Sequence, residues 1–263
     1  MPAPGASLRV PIERRNGAEP QAAYDAVAVE EPLEIRIEDT PIAVVMRTPG
    51  DDDDLVRGFL LTEGILLAPD ELRAIEPAQP SRVSVRLRAG VAVDPEQFRR
   101  NLFTYSSCGI CGKASIEAVQ LVAPRARPAP VSRAVLDGLT AALRRSQPTF
   151  DETGGLHAAG VFTTGGEPLA VREDVGRHNA VDKAIGAVAA RQWPLPPSLL
   201  VVSGRQSFEI VQKAAMARIS GVVGVSAPSS LAVELAGELG MLLVGFARDG
   251  RFNVYAGAEA IDG

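Results

Sequence analysis

Cysteine, histidine and lysine are almost missing from this chain. Its 263 residues hold two cysteines, two histidines and, against 24 arginines, three lysines. Two cysteines cannot form a disulfide scaffold, and standing three apart as Cys108 and Cys111 in a reducing compartment they read as chemical rather than structural. No apolar run reaches the length that spans a bilayer as a helix. The opening MPAPGASLRVPIERR lacks the apolar stretch of a secretory leader, so the expected location is the cytoplasm. Positive charge is in deficit as well. At a net charge of −5 the chain has no general attraction for nucleic acid or an anionic membrane, so an anionic ligand has to be held by a local site. There is no repeat of 20–50 residues and no heptad seam. What is present, 46% apolar and 22% charged residues, describes a folded globular protein.

Scarcity makes the survivors informative. Where arginine has replaced lysine wherever either will serve, the remaining Lys113, Lys183 and Lys213 mark positions that need an ammonium. His157 and His178 likewise mark positions that need an imidazole.

Hydrophobic periodicity sets the organisation. Residues 1–23 read as a loosely held arm or an edge segment. Leu33–Ile37 and Ile42–Met46 alternate around a turn and predict a hairpin, and Val83–Leu87 predicts a strand. Between them Asp51–Asp54 open a helix that ends at Gly64. A cap and a first-turn charge cluster explain the four aspartates better than a metal site does. Arg125–Pro130 is a proline-punctuated linker, and Ser132 caps a helix through Arg145. Beyond residue 154, strands at Ala158–Thr164, Leu169–Arg172, Leu199–Val202, Val222–Val225, Met241–Phe246 and Phe252–Tyr255 alternate with helices at Asn179–Arg191, Phe208–Ile219 and Leu231–Leu239. The expected class is α/β with a largely parallel sheet, following an α+β amino-terminal part. The expected division is residues 1–125 and 126–263.

Ser106–Lys113, SSCGICGK, is the most informative stretch. Glycines beside Cys111 let a ligand approach the backbone closely. The segment opens a helix, so its positive end and Lys113 would lower a thiol pKa and raise the thiolate fraction. Three chemistries fit. A zinc site could take Cys108, Cys111, His157 and His178, but the gaps are not those of a finger. A zinc deaminase would need His-x-Glu before the cysteines and proline at Ser107. A thioredoxin-like redox pair would sit early in a small βαβ unit behind a tryptophan. The third is sulfur transfer through a persulfide, which these residues favour without excluding the other two.

Elsewhere, Arg172–Asn179 packs many functional groups into a strand-to-helix turn. Ser203-Gly204-Arg205 and Ser226-Ala227-Pro228 stand at two further junctions where helix N–H groups could hold phosphate. Neither junction matches the phosphate loop of nucleotide hydrolases or the dinucleotide fingerprint.

Taken in order, SSCGICGK, REDVGRHNAVDK, VVSGRQSFEIVQK and GFARDGRFNVY resemble the formate dehydrogenase accessory sulfurtransferase family (FdhD) from about Tyr24 to Gly257. The resemblance implies a cytidine-deaminase-like mixed sheet with helices on both faces, and a cytoplasmic homodimer without stoichiometric zinc. It also implies a sulfur carrier fed by a cysteine desulfurase. The sulfur acceptor would be the molybdenum bis(pyranopterin guanine dinucleotide) cofactor, before that cofactor enters formate dehydrogenase. By position, Cys108 would be the persulfide cysteine. Cys111 would be its partner, either hydrogen-bonding the loaded sulfur or displacing it through a transient disulfide. Phe246, Ala247, Arg248, Asp249, Gly250 and Arg251 would be the cofactor-binding segment, with Ser203, Gly204, Arg205, Ser226 and His178 as further candidates. The competing functions are a zinc-dependent deaminase-like hydrolase and a cofactor-binding chaperone without sulfur chemistry.

Overall fold

The computed structural model describes residues 5–17, 19–79, 81–93, 124–125 and 129–262. Cys108, Cys111 and Lys113 lie outside the described residues.

The amino-terminal arm is an ordered hairpin. Strands β1 (Ser7–Arg14) and β2 (Gln21–Ala28) pair antiparallel, so of the two expectations for this stretch, a loose arm or an edge segment, the loose arm does not hold. Their alternation is weak because the pair is largely exposed, which is why periodicity does not reveal it. The expected second hairpin is present as β3 (Glu31–Ile37) and β4 (Thr40–Arg47). With β5 (Leu72–Gln79) and β6 (Arg82–Leu87) it forms a four-stranded sheet in the order β4-β3-β6-β5. Helix α1 (Asp52–Thr62) covers this sheet. Its aspartates are tied down by cations: Arg47 pairs with Asp52 at 2.9 Å and Arg172 with Asp54 at 2.8 Å.

The second sheet has six strands in the order β13-β12-β11-β10-β8-β9. These are β8 (His157–Thr163), β9 (Pro168–Asp174), β10 (Ser198–Val202), β11 (Gly221–Gly224), β12 (Leu242–Arg248) and β13 (Arg251–Ala256). Only β10, β11 and β12 run parallel. The other pairings are antiparallel, so the sheet is mixed rather than largely parallel. The Gly165-Gly166 and Asp249-Gly250 turns explain this, since tight hairpins oblige antiparallel neighbours.

Helices cover both faces, and the pleat sorts the side chains. Leu199, Val201, Val223, Leu242 and Val244 face helix α2 (Arg133–Arg145), which contributes Leu136, Leu139 and Leu143. Ser132 caps α2 as its sequence predicts, its hydroxyl accepting from Val135 N–H at 3.3 Å. On the opposite face, Leu200, Val202, Val222 and Leu243 join α4 (Arg177–Ala189), α5 (Phe208–Met216) and α6 (Ser230–Leu239). The short α3 (Pro148–Thr153) follows α2, and a two-residue parallel pairing of β7 (Val131–Ser132) with β14 (Ile261–Asp262) brings the chain end back to the start of α2.

The two sheets share one apolar cluster, running from Leu33 and Ile35 through Leu55 and Phe59 to Ala184, Leu200 and Leu243. At its centre α1 and α4 touch backbone to backbone. A Cβ on Gly58 would lie 1.9 Å from the Asp182 carbonyl oxygen, and one on Gly186 would lie 1.9 Å from that of Asp54. These glycines are required by the crossing itself.

Candidate functional site

The amino end of β8 and the carboxyl ends of β10, β11 and β12 lie on the same edge of the second sheet. Residues past the carboxyl ends of parallel strands are where open α/β sheets bind ligands. A cleft of about 740 Å³ opens there, lined by His157, Ser203, Val225 and Ala247–Asp249 on the sheet side and by Arg144, Gln147 and Phe150 on the α2–α3 side.

The two junctions whose helix N–H groups could hold phosphate are tied to each other through Gln206. Gln206, fully buried, accepts from Ser229 N–H at 2.9 Å, and its side-chain amide donates to the Ser226 carbonyl at 3.2 Å. Gly224 makes room for it, since a Cβ there would sit 2.0 Å from Gln206 Nε2. The Ser203 hydroxyl accepts from Ala158 N–H at 2.9 Å and so fastens β10 to β8 beside the cleft.

The terminal hairpin turns on Asp249 and Gly250, at φ of 52° and 69°, the paired left-handed conformation of a two-residue hairpin loop. That turn sets Arg248 directly opposite Arg251. Both are exposed, and neither forms an ion pair with a described residue. Like charges facing across a ladder are unfavourable on their own, so this pair is suited to an anion.

Of the expected site residues, Ser203, Ala247, Arg248 and Asp249 line the cleft. Gly204 packs behind it, where a Cβ would approach His157 Nδ1 to 3.3 Å. Phe246 (left-handed, φ 54°), Gly250 and Arg251 continue the hairpin outward, Arg205 is exposed, and the Ser226 carbonyl is taken up by Gln206 and by Phe246 N–H. His178 sits apart from the lining, its Nε2 3.4 Å from the Ser207 hydroxyl. Burial, then the neighbouring Arg177 and Lys213 charges, pushes its pKa down to about 3. It is therefore neutral at physiological pH and offers a phosphate no charge. His157, lining the cleft, is also held below the usual histidine range, by burial and by Arg177.

The dense Arg172–Lys183 stretch proves neither a solvated loop nor the cleft wall. Lys183 Nζ is buried against Asp174 Oδ2 and the Thr48 carbonyl, both at 2.8 Å. Glu173 accepts from Thr149 and Phe150 N–H, and Asn179 donates to Asp174 at 3.0 Å and to the Met46 carbonyl at 2.7 Å. Lys213, also buried, donates to both Asp182 oxygens at 2.9 Å and to Glu63 at 2.8 Å. Two of the three lysines thus hold the amino-terminal layer to the second sheet. Among the described residues no group of three or more His, Cys, Asp or Glu side chains is arranged to hold a metal ion, and no helix is long and apolar enough to cross a membrane.

The α2–α3 wall was not legible in the sequence. SQPTF reads only as the end of one helix and the proline start of the next.

Comparison with known proteins agrees with this architecture. Residues 28–262 match the FdhD/NarQ family. A sulfur carrier protein FdhD of Streptomyces coelicolor is 49% identical over 251 residues, spanning 90% of this chain and 89% of that protein. Its counterpart in Mycolicibacterium paratuberculosis is 49% identical over 253 residues, 91% and 93% of the two chains. Among solved structures, one assigned as a formate dehydrogenase accessory protein of Desulfotalea psychrophila superposes with a TM-score of 0.81 at 25% identity, covering 98% of this chain and all of that one.

Proposed function

This chain belongs to the FdhD/NarQ family, and from that premise we propose that it is a sulfur carrier whose substrate, a molybdenum bis(pyranopterin guanine dinucleotide), binds by its nucleotide at the cleft. Its sheet would then be of the cytidine-deaminase-like kind without the zinc chemistry, and its client a formate dehydrogenase. The observation that carries the reading is the Arg248–Arg251 pair, two exposed guanidiniums on the cleft's hairpin with no ion pair among the described residues, in a chain of net negative charge. Such a pair is matched to a pyrophosphate by bidentate geometry as well as by charge.

The sulfur chemistry falls to Cys108 and Cys111. In the proposed loading step the Cys108 thiolate attacks the outer sulfur of a persulfide on a cysteine desulfurase. One S–S bond forms as the donor's breaks, and the donor cysteine leaves as thiolate, with no net oxidation. The outer sulfur would then pass to the molybdenum centre as sulfide, its S–S bond to Cys108 broken by a thiol, either Cys111 or an external thiol reductant, that ends in a disulfide. If Cys111 assists by displacement, its thiolate attacks the inner sulfur of Cys108, releases the outer one as sulfide, and leaves a disulfide for a thiol reductant to reopen.

GDP carries the guanosine and one pyrophosphate of the dinucleotide. In calorimetric titration it should bind the wild type and bind Arg248→Ala or Arg251→Ala roughly ten- to a hundredfold more weakly, with affinity falling as salt is added. Persulfide loading on the same samples should be unchanged. Equal GDP affinity in wild type and variants would remove the hairpin from the site.

A further inference from the structure

Residues 146–156, the far wall of the cleft, form a thin partition. On one side Gln147, Phe150, Gly154 and Gly155 line the cleft. On the other, Ser146, Pro148 and Thr149 line a second cavity of about 200 Å³, and Leu156 borders both spaces. The opposite side of that cavity is pinned by ion pairs, Lys183 to Asp174 and Arg172 to Asp54, each at 2.8 Å. The partition is held far less firmly. No residue from 146 to 156 belongs to either apolar cluster. Gln147 gives α3 no side-chain cap and Pro148 has no N–H, so the next two N–H groups need acceptors outside the helix. Both go to one carboxylate on β9, Thr149 donating to Glu173 at 3.0 Å and Phe150 at 2.8 Å. Among the described residues these are the hydrogen bonds that join α3 to the second sheet. At its other end α3 stops at Gly154, left-handed at φ 67° with nothing within 4 Å of a Cβ position, and Gly155 follows.

A segment with space on both sides, one polar latch and a glycine pair at its end moves at the cost of few contacts. We propose that residues 147–155 are a hinged gate of the cleft. Released from Glu173 and turning at Gly154-Gly155, the gate retreats into the cavity behind it and widens the cleft while a ligand enters or leaves. Glu173 is the latch, a positioning residue that acts through α3. The amino-terminal hairpin backs the gate: β1 and β2 pack on α3, and Ala6, only 2% exposed, lines the cavity. The inference rests on the reading of the cleft as a nucleotide site and adds what controls passage into it.

Two variants of the full-length chain, both outside the cleft lining, test the gate. Ala6→Leu fills the cavity and touches neither latch bond; Ala6→Val serves if the leucine variant folds poorly. Amide-resolved hydrogen exchange at Thr149 and Phe150 should slow at least about threefold in Ala6→Leu, because the retreat is blocked. In Glu173→Gln the same two amides should exchange roughly ten- to a hundredfold faster. Asp151 and Gly154, whose amides donate within the segment to the Gln147 and Phe150 carbonyls, should keep their protection in both variants. With a GDP carrying a fluorescent N-methylanthraniloyl group, association and dissociation should both quicken in Glu173→Gln and both slow in Ala6→Leu. Affinity should stay within about threefold, since a gate changes rates and not the bound state. Exchange and rates unchanged in Ala6→Leu would overturn the gate. So would loss of protection at all four amides in Glu173→Gln, which would mean that α3 unravels rather than swings. Failure of the wild type to bind the fluorescent GDP would instead overturn the nucleotide reading, and exchange alone would then decide whether the wall moves.

Discussion

Lys213 is buried with two carboxylates for one ammonium, and that stoichiometry governs how the residues around it behave. A compact ammonium can donate to Asp182, Glu63 and Thr62 at once, at 2.8–3.0 Å, where a planar guanidinium could not fit the same geometry. Removing it in Lys213→Met should cost about 3–5 kcal/mol in urea unfolding, because the buried carboxylates would be left unpaired. Asp182 has the opposite problem. Burial, aided by the Glu63 charge and opposed by Lys213, raises its pKa to about 6 from an ordinary 3.8. A carboxyl raised in this way holds its proton more tightly folded than unfolded. Its stabilising contribution is complete below the unfolded value and is lost as pH climbs through about 6. Asp182→Asn keeps the neutral form at every pH. It should therefore gain on the wild type by on the order of 3 kcal/mol between about pH 4 and pH 7. If the wild type gains on the variant instead, attraction to Lys213 outweighs burial and Asp182 is ionised throughout.

Between elements, the decisive contact is the crossing of α1 and α4. Gly58→Ala would drive a methyl into the Asp182 carbonyl and should destabilise by roughly 3 kcal/mol. Gly138→Ala, on the exposed side of α2 with nothing within 4 Å of the new Cβ, should stabilise by about 0.5–1 kcal/mol. Thermal melts of the two variants should therefore move in opposite directions, and equal shifts would mean the crossing can relax. Nothing in the local sequence distinguishes these two helix glycines, because the difference is made by a partner helix more than a hundred residues away. The same limit runs through the sequence reading. The strands of the second sheet and the capping of α2 were legible because apolar alternation and a serine at a helix start are local signals. Helix–strand alternation predicts more parallel pairing than the sheet has, because the two hairpin turns make their strands antiparallel neighbours. The partners of Asp174, Asp182 and Lys183 needed the tertiary structure, so a buried ionic seam looked like a ligand-binding loop. The hairpin arginines, by contrast, were visible as a motif.

For the whole molecule, one apolar cluster joins the amino-terminal sheet to the second sheet, although the chain passes through the proline-rich linker between them. Trp193 packs against that cluster. Its fluorescence and the far-ultraviolet dichroism should therefore report a single coincident unfolding transition, whereas two separated transitions would mean that the layers fold independently. A shared core would also suit the proposed carrier, which has to handle sulfur and nucleotide on one body. The central claim is that the body carries sulfur on Cys108, and intact-mass spectrometry after incubation with a cysteine desulfurase and cysteine tests it most directly. The wild type should gain one sulfur atom, reversible by a thiol reductant. Cys108→Ser should gain none, and Cys111→Ser should keep at least part of the gain. A gain that survives in Cys108→Ser and vanishes in Cys111→Ser would reverse the roles of the two cysteines, and no gain in any sample, wild type included, would contradict the account.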